Sequence, residues 1–190
     1  MLNRFKDFMA SIVLVAMAIS AIEGLALSED WNSYSPVYSL GSGEDDWWTA
    51  YPDQNANSGS SVEHPSWVLE ALKEKPVLIL IHSSDCKPCL IQMPRIKEVA
   101  NSFESDLKYY DVLAEGSGFQ KAIDILDVYD PVGGVQYVPT TIFITLIKGS
   151  DGKVEVAWHS AIDAMSEDQI NAYTKDSVYY HKQMPRTGDE

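Results

Sequence analysis

The two cysteines of this chain stand at 86 and 89, directly after an apolar run, and that placement restricts the fold more than any other feature. The stretch reads PVLILIHSSDCKPC, from Pro76 to Cys89. A continuous apolar run bounded by Pro76 and Ser83 suits a strand buried on both faces. The cysteines then lead into CLIQMPRIKEVANSF, whose spacing predicts an amphipathic helix with Ile91, Ile96, Val99 and Phe103 inward and Pro94 kinking it. As a structural staple the pair makes little sense. Secreted proteins use disulfides to close long loops, and a bridge from Cys86 to Cys89 closes almost none.

The remaining elements follow by the same patterns. PSWVLEALKEK predicts a short helix, with Pro65 and Ser66 in its first turn. LKYYDVLA (107–114) alternates as a strand, and residues 119–129 read as a helix. DPVGGVQYVP is a turn-rich connector to the β-branched strand TTIFITLI (140–147). GSDGK turns the chain back into VEVAWHS (154–160), and Ser166 caps a last helix. From His64 onward the order is helix, strand, helix, strand, helix, strand, strand, helix.

Two N-terminal segments stand outside that pattern. Arg4 and Lys6 precede fifteen uncharged residues, Phe8 to Ile22, which Glu23 ends. This reads as a secretory signal over residues 1–26, or as an uncleaved anchor over 8–27; either places the rest of the chain outside the cytoplasm. Residues 27–61 have the polar, turn-rich composition of a linker, interrupted by Trp47, Trp48 and Tyr51. These rings either pack onto the folded domain, set at 62–190, or form a strip for a partner. The formal net charge of −14 excludes a nucleic-acid partner and a polybasic membrane contact. Loss of residues 1–26 leaves it unchanged, because Arg4 and Lys6 balance Asp7 and Glu23.

A strand running into Cys86-Lys87-Pro88-Cys89 at a helix start, Pro94 five residues on, and Val138-Pro139-Thr140 just before a later strand together resemble the thioredoxin family. The resemblance covers residues 64–181 and implies an α/β fold, a mixed central sheet flanked by helices. It implies a thiol–disulfide oxidoreductase with no bound cofactor, whose partners are client proteins and a second redox protein that exchanges electrons with it. Cys86 would be the nucleophile and Cys89 the resolving thiol, forming a redox-active disulfide; the helix N-terminus and Lys87 would favour the thiolate. Pro139 would be cis, leaving the backbone of Val138 free to pair with an extended substrate.

The chain departs from the family pattern in several places. Asp85 stands where a tryptophan is usual and should oppose the thiolate of Cys86. Leu80 occupies the position of a buried aspartate; His82, on the same strand face, is either a substitute proton shuttle or a structural histidine. Lys-Pro replaces Gly-Pro between the cysteines, leaving the direction of electron flow open. The span from Cys89 to Pro139 is longer than usual, with the extra length expected around AEGSGF or DPVGG. Two rival readings remain: a metal site built from Cys86, Cys89, His82 and one of His64, His159 or His181, and a binding module whose cysteines matter little.

Overall fold

The computed structural model describes residues 30–149 and 151–185. The signal or anchor expected before residue 27 lies outside the described residues. Two compact units divide the chain, 1–34 and 35–190. In the first, Trp31 and Tyr34 meet edge to face at 5.6 Å. All else below concerns the second.

Its elements are α1 (Ser66–Leu72), β1 (Val77–His82), α2 (Lys87–Ser102), β2 (Lys108–Leu113), a 3-10 turn at Gly116–Gly118, α3 (Phe119–Tyr129), β3 (Thr140–Lys148), β4 (Val154–Ile162) and α4 (Glu167–Lys182). The sheet order is β2-β1-β3-β4, with β1 parallel to β2, antiparallel to β3, and β3 antiparallel to β4. This mixed sheet with helices on both faces is the thioredoxin-like arrangement that the sequence implied. All six residues of β1 are buried, as its unbroken apolar run requires of a central strand covered on both sides.

Alternation along β1 divides the core. Val77, Ile79 and Ile81 face one layer, with α1 and α3; Leu78 and Leu80 face the other, with Ile96 of α2 and Ile170 of α4. The last helix starts on a reciprocal cap: Ser166 Oγ accepts from Gln169 N–H at 3.2 Å, and Gln169 Oε1 accepts from Ser166 N–H at 3.0 Å. Acidic Glu167 and Asp168 at its start and His181 and Lys182 at its end suit the helix dipole.

The aromatic strip is part of this core. Trp48 pairs with the edge of β4 through both backbone hydrogen bonds to Trp158, at 2.8 and 2.9 Å. Neighbouring side chains of extended backbone point to opposite sides, so Trp48 enters the α1/α3 layer and Trp47 the α2/α4 layer, both fully buried. Asp176 of α4 anchors the approach to this strap: its carboxylate accepts from Val37 N–H at 2.9 Å and Tyr38 N–H at 3.0 Å. The rings therefore pack onto the domain, and Trp47 and Trp48 offer no surface to a partner. The strap covers the β4 side of the sheet, and among the described residues no strand lies outside β2.

One sequence expectation for α2 needs correction. The helix runs unbroken from Lys87 to Ser102 with Pro94 inside it, but Ile91 is half exposed and does not join the buried face. That face is Cys89, Gln92, Ile96, Val99 and Ala100. A buried glutamine takes the inward position that hydrophobicity alone would have given to Ile91.

Candidate active site

The strand β1 ends at His82, four residues cross the end of the strand, and α2 begins. Cys86 is the N-cap of that helix, in extended conformation, and its Sγ accepts from Cys89 N–H at 3.1 Å. A sulfur at this position faces the unpaired N–H groups of a helix start, which stabilise a thiolate. Pro88 falls in the first turn, where its missing N–H costs nothing. Cys86 and Cys89 are joined as a disulfide, with Cα atoms 5.2 Å apart. The two sulfurs differ in access: Cys86 is partly exposed, and Cys89 is fully buried. Asp85 and Lys87 flank Cys86 and are both exposed.

Across from Cys86 lies the proline loop. The Val138–Pro139 peptide bond is cis, as the resemblance implied. Cys86 Sγ is 3.4 Å from the Val138 carbonyl oxygen. Pro139 and Thr140 are buried, and Thr140 Oγ1 donates to the Tyr137 carbonyl at 2.7 Å, closing the turn. The surface around these residues is apolar: Leu90 and Ile91 on α2, and Val135 and Tyr137 ahead of the proline, are all at least half exposed.

His82 lies at the end of β1, on the strand face it shares with Leu80. Its Nε2 is 2.6 Å from Asp111 Oδ1, and its Nδ1 is buried without a partner. With Nε2–H donating to the carboxylate, Nδ1 carries a free lone pair. Asp111 also accepts from the hydroxyl of Tyr109, and burial with that carboxylate pushes the phenol well above its ordinary pKa. Sequence reasoning missed Asp111. The available signal was alternation on β2, where an acidic residue shares a strand face with Tyr109 and lies in register with Leu80.

Glu115, Gln92 and Arg95 were also missed. Glu115 accepts from Ser84 N–H at 2.5 Å and from Ser84 Oγ at 2.9 Å, fixing the segment that enters Cys86. Those bonds to the ionised form hold its carboxyl below the usual range. Gln92, one turn beyond Cys89, is fully buried. Its Nε2–H donates to Thr141 Oγ1 at 2.8 Å and its Oε1 accepts from Met165 N–H at 2.9 Å. Arg95 donates to the Met165 carbonyl at 2.7 Å. A lone Gln or Arg in an amphipathic helix carries no local sign of these distant partners.

The histidines proposed as further metal ligands are engaged elsewhere. His64 pairs with the Tyr129 hydroxyl at 2.9 Å, and burial lowers its pKa to about 4. His159 Nδ1–H donates to the Asp46 carbonyl at 3.0 Å, and His181 Nε2–H to the Leu72 carbonyl at 2.7 Å. Among the described residues no three His, Cys, Asp or Glu side chains are grouped to hold a metal.

No protein-family model matches the chain, and no curated protein does. Solved structures do. An exposed lipoprotein thioredoxin from Streptococcus pneumoniae is 21% identical over 57% of this chain and 89% of its own, at a TM-score of 0.41. A thioredoxin-family thiol:disulfide interchange protein from Chlorobium tepidum is 15% identical over 57% and 83%, at 0.39. A secreted disulfide oxidoreductase from Mycobacterium tuberculosis is 17% identical over 55% and 84%, at 0.35.

Proposed function

We propose that this chain, a thioredoxin-like fold with both cysteines at the start of α2, is a thiol–disulfide oxidoreductase that acts on client proteins outside the cytoplasm. The observation that carries the reading is the unequal pair: a partly exposed Cys86 at a helix N-terminus, bonded to a buried Cys89 and lying beside the Val138 carbonyl. Export rests on the N-terminal sequence, a basic start followed by the uncharged run from Phe8 to Ile22.

In the reducing direction, the Cys86 thiolate attacks one sulfur of a client disulfide. The client S–S bond breaks, one client thiolate leaves, and a mixed disulfide forms. Cys89 loses its proton and attacks Cys86 Sγ, which expels the second client thiolate and forms the Cys86–Cys89 bond. Two electrons have passed to the client, and a dithiol reductant must return them. Run backwards, the same steps oxidise a client dithiol. His82 receives the proton of Cys89 through its unpartnered Nδ1, with Asp111 stabilising the imidazolium. Val138 offers backbone to an extended client segment, Lys87 and Asp85 tune the exposed sulfur in opposite senses, and Pro88, Pro139 and Thr140 hold the geometry.

The test is equilibration in graded dithiothreitol buffers with alkylated thiols counted by mass. One two-electron transition near roughly −270 mV identifies a reductant, and one near roughly −120 mV an oxidant. Absence of any reversible transition would reject the enzyme. Cys89→Ser should accumulate a mixed disulfide through Cys86.

A further inference from the structure

The loop that leads into the proline turn is held from outside the thioredoxin-like frame. Residues 51–60 of the strap form a compact loop, closed by Tyr51 N–H to the Ser60 carbonyl at 3.0 Å and Gly59 N–H to the Tyr51 carbonyl at 2.9 Å. Asn55 lies within it and is 5% exposed. Its Nδ2–H donates to the Asp130 carbonyl at 2.9 Å, and its Oδ1 accepts from Asn57 N–H at 2.8 Å. Next to it, Ala56 N–H donates to the Val132 carbonyl at 2.9 Å. Asp130 folds its own turn, with Oδ1 accepting from Val132 N–H at 2.7 Å and Gly133 N–H at 2.9 Å. Gly133 is needed there: its φ is +72°, and a Cβ would stand 2.8 Å from Asn55 Oδ1.

We infer that Asn55 is a positioning residue for client binding, which it serves by holding the Asp130–Gly133 turn and so the rim from Val135 to Val138. The inference rests on the oxidoreductase reading. The rim exposes Val135 (71%) and Tyr137 (56%), two large apolar side chains with no folding reason to face water, and three residues after Val135 the Val138 carbonyl reaches Cys86 Sγ. Its far end is fixed by Thr140 on the Tyr137 carbonyl at 2.7 Å, and Gln136 donates to Asp127 of α3 at 2.7 Å. Ahead of Val135 the chain is shaped by the Asp130 turn, whose outer carbonyls are those of Asp130 and Val132, the two that the strap loop binds. Without Asn55 a buried carbonyl loses its donor and the turn loosens. The rim then samples many positions, and a client must select one, which weakens binding without altering the sulfur chemistry.

The experiment is steady-state reduction of insulin with dithiothreitol as electron source, on the full chain. Asn55→Ala should raise KM about tenfold while kcat and the reduction potential stay within error of wild type. Gly133→Ala approaches the same contact from the other loop and should give the same split, which covers the case that Asn55→Ala does not fold. Tyr137→Ala should raise KM in the wild-type background and much less in the Gly133→Ala background, because a displaced ring contributes little. An unchanged KM in both single variants overturns the inference, as does a loss confined to kcat or potential, or full additivity with Tyr137→Ala. If wild type itself exchanges no thiols with insulin under any buffer, the oxidoreductase reading falls and this inference with it. If wild type cycles and the variants match it, only this inference falls.

Discussion

Gln92 donates to Thr141 Oγ1 at 2.8 Å and so ties the helix that begins at the cysteines to the strand that begins beyond the cis-proline. The two halves of the candidate site, the cysteine helix and the cis-proline strand, thus share one buried amide. Gln92→Leu keeps the volume but strands the Met165 N–H and the Thr141 hydroxyl. We expect it to cost about 1–3 kcal/mol in urea denaturation. The loss should appear in the oxidised and the reduced protein alike, because the amide bonds neither sulfur.

The proton transfer proposed for His82 can be tested apart from the helix start. His82→Gln retains a polar group toward Asp111 but removes the unpartnered ring nitrogen. Stopped-flow measurement should show release of client from the Cys86 mixed disulfide slowed on the order of 100-fold near neutral pH, the usual scale for one proton-transfer group. Formation of the mixed disulfide should keep its rate. Equal rates of release in both proteins, with the same pH profile, would make His82 structural.

Deleting residues 1–34 should leave a folded, redox-active protein, whereas deleting residues 1–61 should not. The longer deletion removes two fully buried tryptophans and strips the Asp176 carboxylate of the strap donors it receives from Val37 and Tyr38. Each tryptophan alone is worth roughly 3–5 kcal/mol if cut to alanine, which together approaches the whole stability of a domain. Circular dichroism and thermal melting of the two fragments decide the matter.

What could be read in the sequence and what could not follow a physical line. The run VLILIH announces a buried strand because a central strand has no solvent face to record. The cysteine pair and the prolines announce the site because their roles are local. The core face of α2 was misread because Gln92 is inward only by virtue of partners at 141 and 165. The strap was read as a linker because its Gly, Ser and Asp content matches one; its order comes from Asp176, 139 residues from Val37. Asn55 and Asp111 were invisible for the same reason, since each matters through a neighbour brought by the fold.

Acid should weaken the protein before its carboxylates titrate fully. Burial holds the His159 pKa down at about 4, between rings of Tyr173 at 3.9 Å and Trp48 at 4.7 Å. The unfolded chain takes up that proton near its ordinary value of about 6.5. Neutral His159 therefore adds stability that is complete above pH 6.5 and is lost as pH falls toward 4, about 3 kcal/mol in all. His64, also lowered to about 4, acts with the same sign. Urea midpoints measured from pH 7 to 4.5 should fall steeply in wild type and less steeply in His159→Gln, although that variant starts lower. Parallel slopes would mean that His159 is not held neutral.

The peptide bond between Trp47 and Trp48 has a consequence for how the molecule comes apart. It sends one indole to each side of the sheet, so that neither helical layer can shed its strap ring without dragging the other. Two cores that a sheet would otherwise insulate are riveted through its margin. Amides of α3 and of α4, on opposite faces, should then exchange with solvent at a common opening free energy, as one cooperative block.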